Sequence, residues 1–156
     1  MKVAAIIAFL TLLPTLHVNS RAYSIDSPLQ EVIRKVSLKK NGIVVIAFVT
    51  PGECTKCNIA LSSSFAWMKE KMPNRQIKFA GFVTCQREIE LKQHIPKFPM
   101  FDLLLMNDGD IQKRLKIPLT SRAVVCDHEG NLLGVVSYEE YFGNIQAAFA
   151  RILKMK

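Results

Sequence analysis

Apolar and polar positions fall in blocks along this chain, and the period of each block predicts an element. From Ser27-Pro28 to about Leu38, the residues Leu29, Val32, Ile33 and Val36 recur at helical spacing, and Lys39-Lys40-Asn41-Gly42 reads as a turn. Ile43–Val49 is an unbroken apolar run rich in β-branched residues, as in a strand buried on both faces. Thr50-Pro51-Gly52-Glu53 ends that run, and Cys54-Thr55-Lys56-Cys57 follows at once. A helix is expected from Asn58 to about Met72, with Ile59, Leu61, Phe65 and Met68 among its core positions and Pro73-Asn74 as its stop. Ile77–Val83 reads as a second strand, Arg87–Ile95 as a short helix, Phe98–Phe101 as a brief extended piece and Asp110–Lys116 as another short helix. Ala123–Asp127 and Leu132–Ser137 form a hairpin about the turn His128-Glu129-Gly130-Asn131. Tyr138–Lys154 closes the chain as one amphipathic helix carrying Tyr141, Ile145, Ala148, Phe149 and Ile152. Strands joined by helices, then a hairpin and a last helix, give an α/β class with a mixed central sheet and helices on both faces.

The start of the chain follows another pattern. Met1-Lys2 is a short positive head, and Val3–Leu16 is a charge-free, nearly apolar run that contains Pro14. A spanning helix needs about 20 apolar residues, so the run reads as a secretory signal, residues 1–22, with cleavage near 20–22. Residues 23–156 are then the folded domain. No Cys precedes position 54, so attachment of lipid at a signal-end cysteine is excluded. An exported chain meets a compartment where thiols can be oxidised.

Composition narrows the class further. The 156 residues are 49% apolar and 22% charged, which suits one globular domain and excludes a disordered tail, a fibre or a membrane bundle. Four Cys are too few to staple a chain of this length, so a hydrophobic core must hold it. The formal charge is +8, from 21 Lys+Arg minus 13 Asp+Glu. These basic residues are scattered, without a recognition helix or an aromatic-interleaved stripe, so a nucleic-acid partner is not expected. Peripheral contact with anionic lipid is compatible with the charge.

The chemistry rests on Cys54 and Cys57. A CxxC is either half of a zinc site or a redox dithiol, and zinc asks for a second CxxC or a paired His. Cys85 and Cys126 are single, and His94 and His128 are isolated, so no metal and no cofactor are expected. The place of the pair favours redox work, because it lies between a buried strand and a helix. A thiolate at a helix N-terminus meets unpaired N–H groups and the positive end of the dipole, which lower its pKa. Lys56 adds to this effect on Cys54, and Glu53 opposes it. Cys57, one turn further in, could then resolve a mixed disulfide on Cys54.

The order of elements, the strand Ile43–Val49, the Cys54-Thr55-Lys56-Cys57 motif and the segment Val124–Gly130 with its Asp-x-x-Gly turn resemble the thioredoxin superfamily. The closest likeness is to the TlpA-like thiol–disulfide oxidoreductases of the bacterial envelope, and it covers roughly residues 27–154. The resemblance implies a three-layer sandwich with a central sheet of four or five strands. It also implies an exported oxidoreductase of the periplasm or cell envelope, exchanging a Cys54–Cys57 disulfide with protein dithiol and disulfide partners. Two departures stand out. Glu53 replaces the usual aromatic residue before the first Cys. Ser121, preceded by Thr120, falls where the family has a cis-proline, with Pro118 three positions earlier. Those departures keep a second reading open, in which the chain is a non-catalytic binding module or a metal carrier using the CxxC. Cys85 follows the second strand and is a candidate third thiol or a half-buried bystander, whereas Cys126 reads as a core residue. The sequence does not set the oligomeric state.

Overall fold

The computed structural model describes residues 28–52, 55–107 and 109–155, and at 55–57 the backbone alone. The expected signal segment, residues 1–22, lies outside the described residues. Among the described residues no helix is long and apolar enough to cross a membrane.

The elements run α1 (Pro28–Lys35), β1 (Ile43–Val49), α2 (Thr55–Lys71), β2 (Ile77–Thr84) and α3 (Glu88–His94), then β3 (Leu103–Asn107) and α4 (Ile111–Arg114). They end with β4 (Ala123–Asp127), β5 (Leu132–Val136), α5 (Tyr138–Gly143) and α6 (Ile145–Leu153). The five strands form one sheet in the order β3-β2-β1-β4-β5. β1 is parallel to β2, and β2 to β3, while β4 is antiparallel to both β1 and β5. This is the mixed sheet that the residue pattern implies.

β1 is the centre of the sheet, and all seven of its residues are buried. Because successive side chains point to opposite faces, Ile43, Val45, Ala47 and Val49 enter one core with Leu61, Phe65 and Met68 of α2 and Ile145, Ala148 and Phe149 of α6. Val44, Ile46 and Phe48 enter a second core with Val32 and Ile33 of α1 and Ile111 of α4. Two apolar layers thus sandwich one strand. Each large side chain so buried is worth about 1.5–3 kcal/mol over exposure. The first core is also locked by rings, Phe65 stacking on Phe79 with centroids 3.7 Å apart.

Three expectations are corrected. Phe98–Phe101 is not an extended piece: it follows a 3-10 turn at Ile95–Lys97 and folds through successive tight bonds, Phe98 N–H to Ile95 O and Phe101 N–H to Phe98 O. The strand lies after it, at Leu103–Asn107, where Asp102 anchors its start by accepting the Phe79 N–H at 2.8 Å. The C-terminal helix is two helices, because Asn144 leaves the helical conformation (φ −149°) and caps α6 by accepting the Ala147 N–H. Ile59 is not a core position, at 60% exposed; α2 turns Leu61, Ser64, Phe65 and Met68 inward instead.

The β4–β5 hairpin turns at Gly130, whose φ of +87° disfavours any side chain. Asp127 ties the turn by accepting the Glu129 and Asn131 N–H groups, each at 2.9 Å.

Candidate functional site

The sheet brings three strand ends to one rim. β1, β2 and β3 are parallel, so Val49, Thr84 and Asn107 finish side by side. Ligands of parallel sheets gather outside such carboxyl ends. From Val49 the chain runs through Thr50–Cys54 straight into α2, which begins at Thr55. Helix α2 is 17 residues long and has no acidic residue in its first turn. Glu53 and Cys54 lie outside the described residues, while Lys56 and Cys57 fall within the first turn of α2. The backbone therefore sets the cysteine motif at the junction of a buried strand and the positive end of a long helix.

On one side of this junction an open cleft of about 790 Å³ is lined by Thr50 and Pro51, by Thr84 and Cys85, by Glu90 and His94 of α3, and by Met106 and Asn107. Cys85 is half-buried there, its Sγ 3.5 Å from the Val83 carbonyl oxygen. Burial pushes its thiol pKa up, and the Glu90 carboxylate adds to that rise. Glu90 is itself held below the usual carboxylate range by the Arg87 side chain and the Gln86 N–H, against a smaller opposing effect of burial. Asn107 is buried; its Nδ2 lies 3.5 Å from Thr84 Oγ1 and its Oδ1 accepts the Gly109 N–H at 3.0 Å. The Nδ1 atom of His94 is buried without a partner among the described residues.

Across the junction lies a second corner. Ser121 N–H donates to Pro118 O at 2.9 Å, closing a tight turn over Leu119 and Thr120. Thr120 is exposed and Ser121 is buried. Among the described residues no peptide bond is cis. The next residue, Arg122, places its guanidinium 5.1 Å from the Tyr138 ring centroid and 5.9 Å from that of Phe142. Leu119, Tyr138 and Phe142 are exposed beside it. The residue pattern gave no notice of this aromatic–cation group, because Arg122 and α5 come from distant stretches of chain.

The remaining thiol is apart from the rim. Cys126 lies within β4, fully buried, and burial raises its pKa to about 12, with Asp127 adding to the rise. It is a core thiol. Among the described residues no group of three or more His, Cys, Asp and Glu could hold a metal ion.

No protein-family model and no curated protein matches the chain. Solved structures do match. One is a thioredoxin-like protein of Porphyromonas gingivalis, 13% identical over 75% of this chain and 77% of that one, with a TM-score of 0.55. Another is a thioredoxin-like protein of Aeropyrum pernix, 13% identical over 78% and 81% of the two chains, TM-score 0.51. A third is a thiol:disulfide interchange protein of a Bacteroides species, 17% identical over 74% and 75%, TM-score 0.50. With the sheet order, the helices on both faces and the motif at the strand–helix junction, these likenesses identify the architecture: the chain has the thioredoxin-like fold.

Proposed function

We propose that the chain is an exported thiol–disulfide oxidoreductase, exchanging a Cys54–Cys57 disulfide with dithiols and disulfides of partner proteins. One observation carries the reading: buried strand β1 ends at Val49 and α2 starts at Thr55, so Cys54 directly precedes the helix and residues 55–57 belong to its first turn. Such a place favours a thiolate at Cys54. In the exchange, the Cys54 thiolate attacks a partner disulfide and one partner sulfur leaves as thiolate. Cys57 then attacks the Cys54 sulfur, releasing the second partner thiol and closing the Cys54–Cys57 disulfide. The partner gains the two electrons that the pair loses. Export rests on the apolar run Val3–Leu16 and its flanks.

Cys85 stays outside the exchange in this reading, since its surroundings disfavour its thiolate. The test is to replace Cys57 with Ser and recover partners held on Cys54. Reductant-sensitive adducts at Cys54 are expected, together with insulin reduction by the wild-type chain in the presence of dithiothreitol. A wild-type chain that neither reduces insulin nor yields such adducts, and that retains metal through anaerobic purification, would instead be a carrier.

A further inference from the structure

At the end of the sheet opposite the rim, a group of cations stands without carboxylate partners. β1 and β2 are parallel and start side by side at Ile43 and Ile77, so the loops that lead into them are neighbours. Those loops are tied together. Arg75 Nε donates to Asn41 O at 3.0 Å, the Lys39 N–H donates to Gln76 Oε1, and the Ile43 N–H donates to Gln76 O at 2.9 Å. Between them opens a cleft of about 420 Å³ lined by Asn41, Lys71, Met72, Pro73, Asn74 and Arg75, with no carboxylate in its wall. Lys39, Lys40 and Lys71 are exposed here and Arg75 is half-buried.

Among the described residues none of these cations enters an ion pair, whereas Lys35, Lys78, Arg87, Lys92, Lys113 and Arg151 each have a carboxylate partner. Carboxylates at this end are engaged elsewhere: Asp102 pairs with Lys78, and Asp127, opposite Ile43 in the sheet, is held by its own hairpin turn. Glu70, next to Lys71, and Glu129, in the hairpin turn, are exposed and offset part of the charge, which leaves the cations in excess. The loop tip selects among anionic partners. Between Lys71 and Arg75 in the chain, Pro73 is exposed and Met72 half-buried, so apolar surface sits among the cations. A bilayer interface takes up cations and an apolar tip together, because its charged headgroups border hydrocarbon. A soluble polyanion has no use for the tip.

We propose that this end of the sheet docks the protein on a membrane surface rich in anionic lipid, with the loops at 39–42 and 71–76 against the lipid phosphates. The apolar run Val3–Leu16, read above as an export signal, delivers the chain to a membrane. β1 runs from Ile43 at the docking end to Val49 at the rim, about 20 Å at the rise of a strand. Docking therefore turns the rim away from the bilayer and toward soluble partners. The binding itself does not depend on the exchange reading; only the use of that orientation does.

The test is co-sedimentation with vesicles, using protein whose N-terminus is as the cell leaves it. One set of vesicles holds equal parts phosphatidylglycerol and phosphatidylcholine, and the other phosphatidylcholine alone. Binding to the anionic set and little to the neutral set is expected at low salt, with release at high salt. Lys39→Gln, Lys40→Gln and Lys71→Gln together should weaken partition about hundredfold, about fivefold for each cation. Arg at the same positions should keep it. A matched triple, Lys92→Gln, Lys113→Gln and Lys154→Gln, makes the same charge change on α3, α4 and the end of α6, and should stay within about threefold of wild type. Equal binding to both vesicle sets, or equal losses in the two Gln triples, overturns the proposal. So does heparin binding as tight as vesicle binding and lost in the first triple, which would assign this end to a soluble polyanion. Insulin reduction in solution should be the same for the first triple and the wild type. No reduction by either would overturn the exchange reading, and vesicle binding judges the docking separately.

Discussion

Two parallel strands of this sheet, β1 and β2, are each followed in the chain by a cysteine and then a helix, and the two helices differ. Cys54 directly precedes α2, a helix of 17 residues whose first turn carries Lys56 and no acid, although Glu53 lies on its other side. Cys85 precedes α3, a helix of seven residues with Glu88 and Glu90 in its first turn. Burial and Glu90 both push the Cys85 thiol up. The anchoring differs as well. α2 buries Leu61, Ser64, Phe65 and Met68, whereas α3 buries none of its residues. In the proposed reading, a thiol at a strand–helix junction owes its reactivity to the length, charge and anchoring of the helix that follows, and topology alone does not supply it.

The largest effect should come from removing each thiol in turn. Replacing Cys54 or Cys57 with Ser should bring insulin reduction down to background, while Cys85→Ser should keep turnover within about twofold of wild type. Equal losses at Cys54 and Cys85 would erase the contrast between the two junctions.

Anchoring can be broken next. Phe65 stacks on Phe79 beneath α2, and Phe65→Ala should cost about 3–5 kcal/mol in denaturant unfolding. Ile89 on α3 is 60% exposed, and Ile89→Ala should change stability by less than about 0.5 kcal/mol.

Acid should sharpen the same difference. The Arg87 side chain and the Gln86 N–H hold the Glu90 carboxyl below the usual carboxylate range. A carboxyl with a lowered folded pKa stabilises the fold above its unfolded value, about 4.3, and that contribution is lost as pH falls through the folded value. Acidification below about pH 4 should therefore loosen the start of α3 before α2, read as hydrogen-exchange protection in the two helices. A smaller effect is expected from Glu90→Gln. Removing the charge that adds to the Cys85 shift should raise Cys85 alkylation near neutral pH by about twofold, with burial still limiting it.

Much of this architecture was legible in the sequence, and the exceptions have physical causes. β1 and β4 were found at their true bounds because β-branched runs between turn residues admit few other readings. β3 is not legible in the same way: Leu103-Leu104-Leu105-Met106 contains no β-branched residue, and the aromatic residues before it form turns. The break at Asn144 did leave a signal, a Gly143-Asn144 pair able to end one helix and cap the next, but the continuous apolar stripe masked it. The junction that carries the cysteine pair could be read from spacing. The full lining of the cleft around Cys85 could not, since Thr50, Thr84 and Asn107 meet through strand pairing and His94 through the placement of α3.

The proposed function requires that the Cys54 thiol is activated, while the half-buried Cys85 thiol is suppressed. Its most direct test is alkylation of the reduced wild-type chain against pH, with Cys54 and Cys85 followed separately by mass spectrometry. The account predicts that Cys54 titrates well below the ordinary thiol value of about 8.5, and that Cys85 titrates above it. Cys54 titrating as an ordinary thiol, or Cys85 titrating below Cys54, would contradict it.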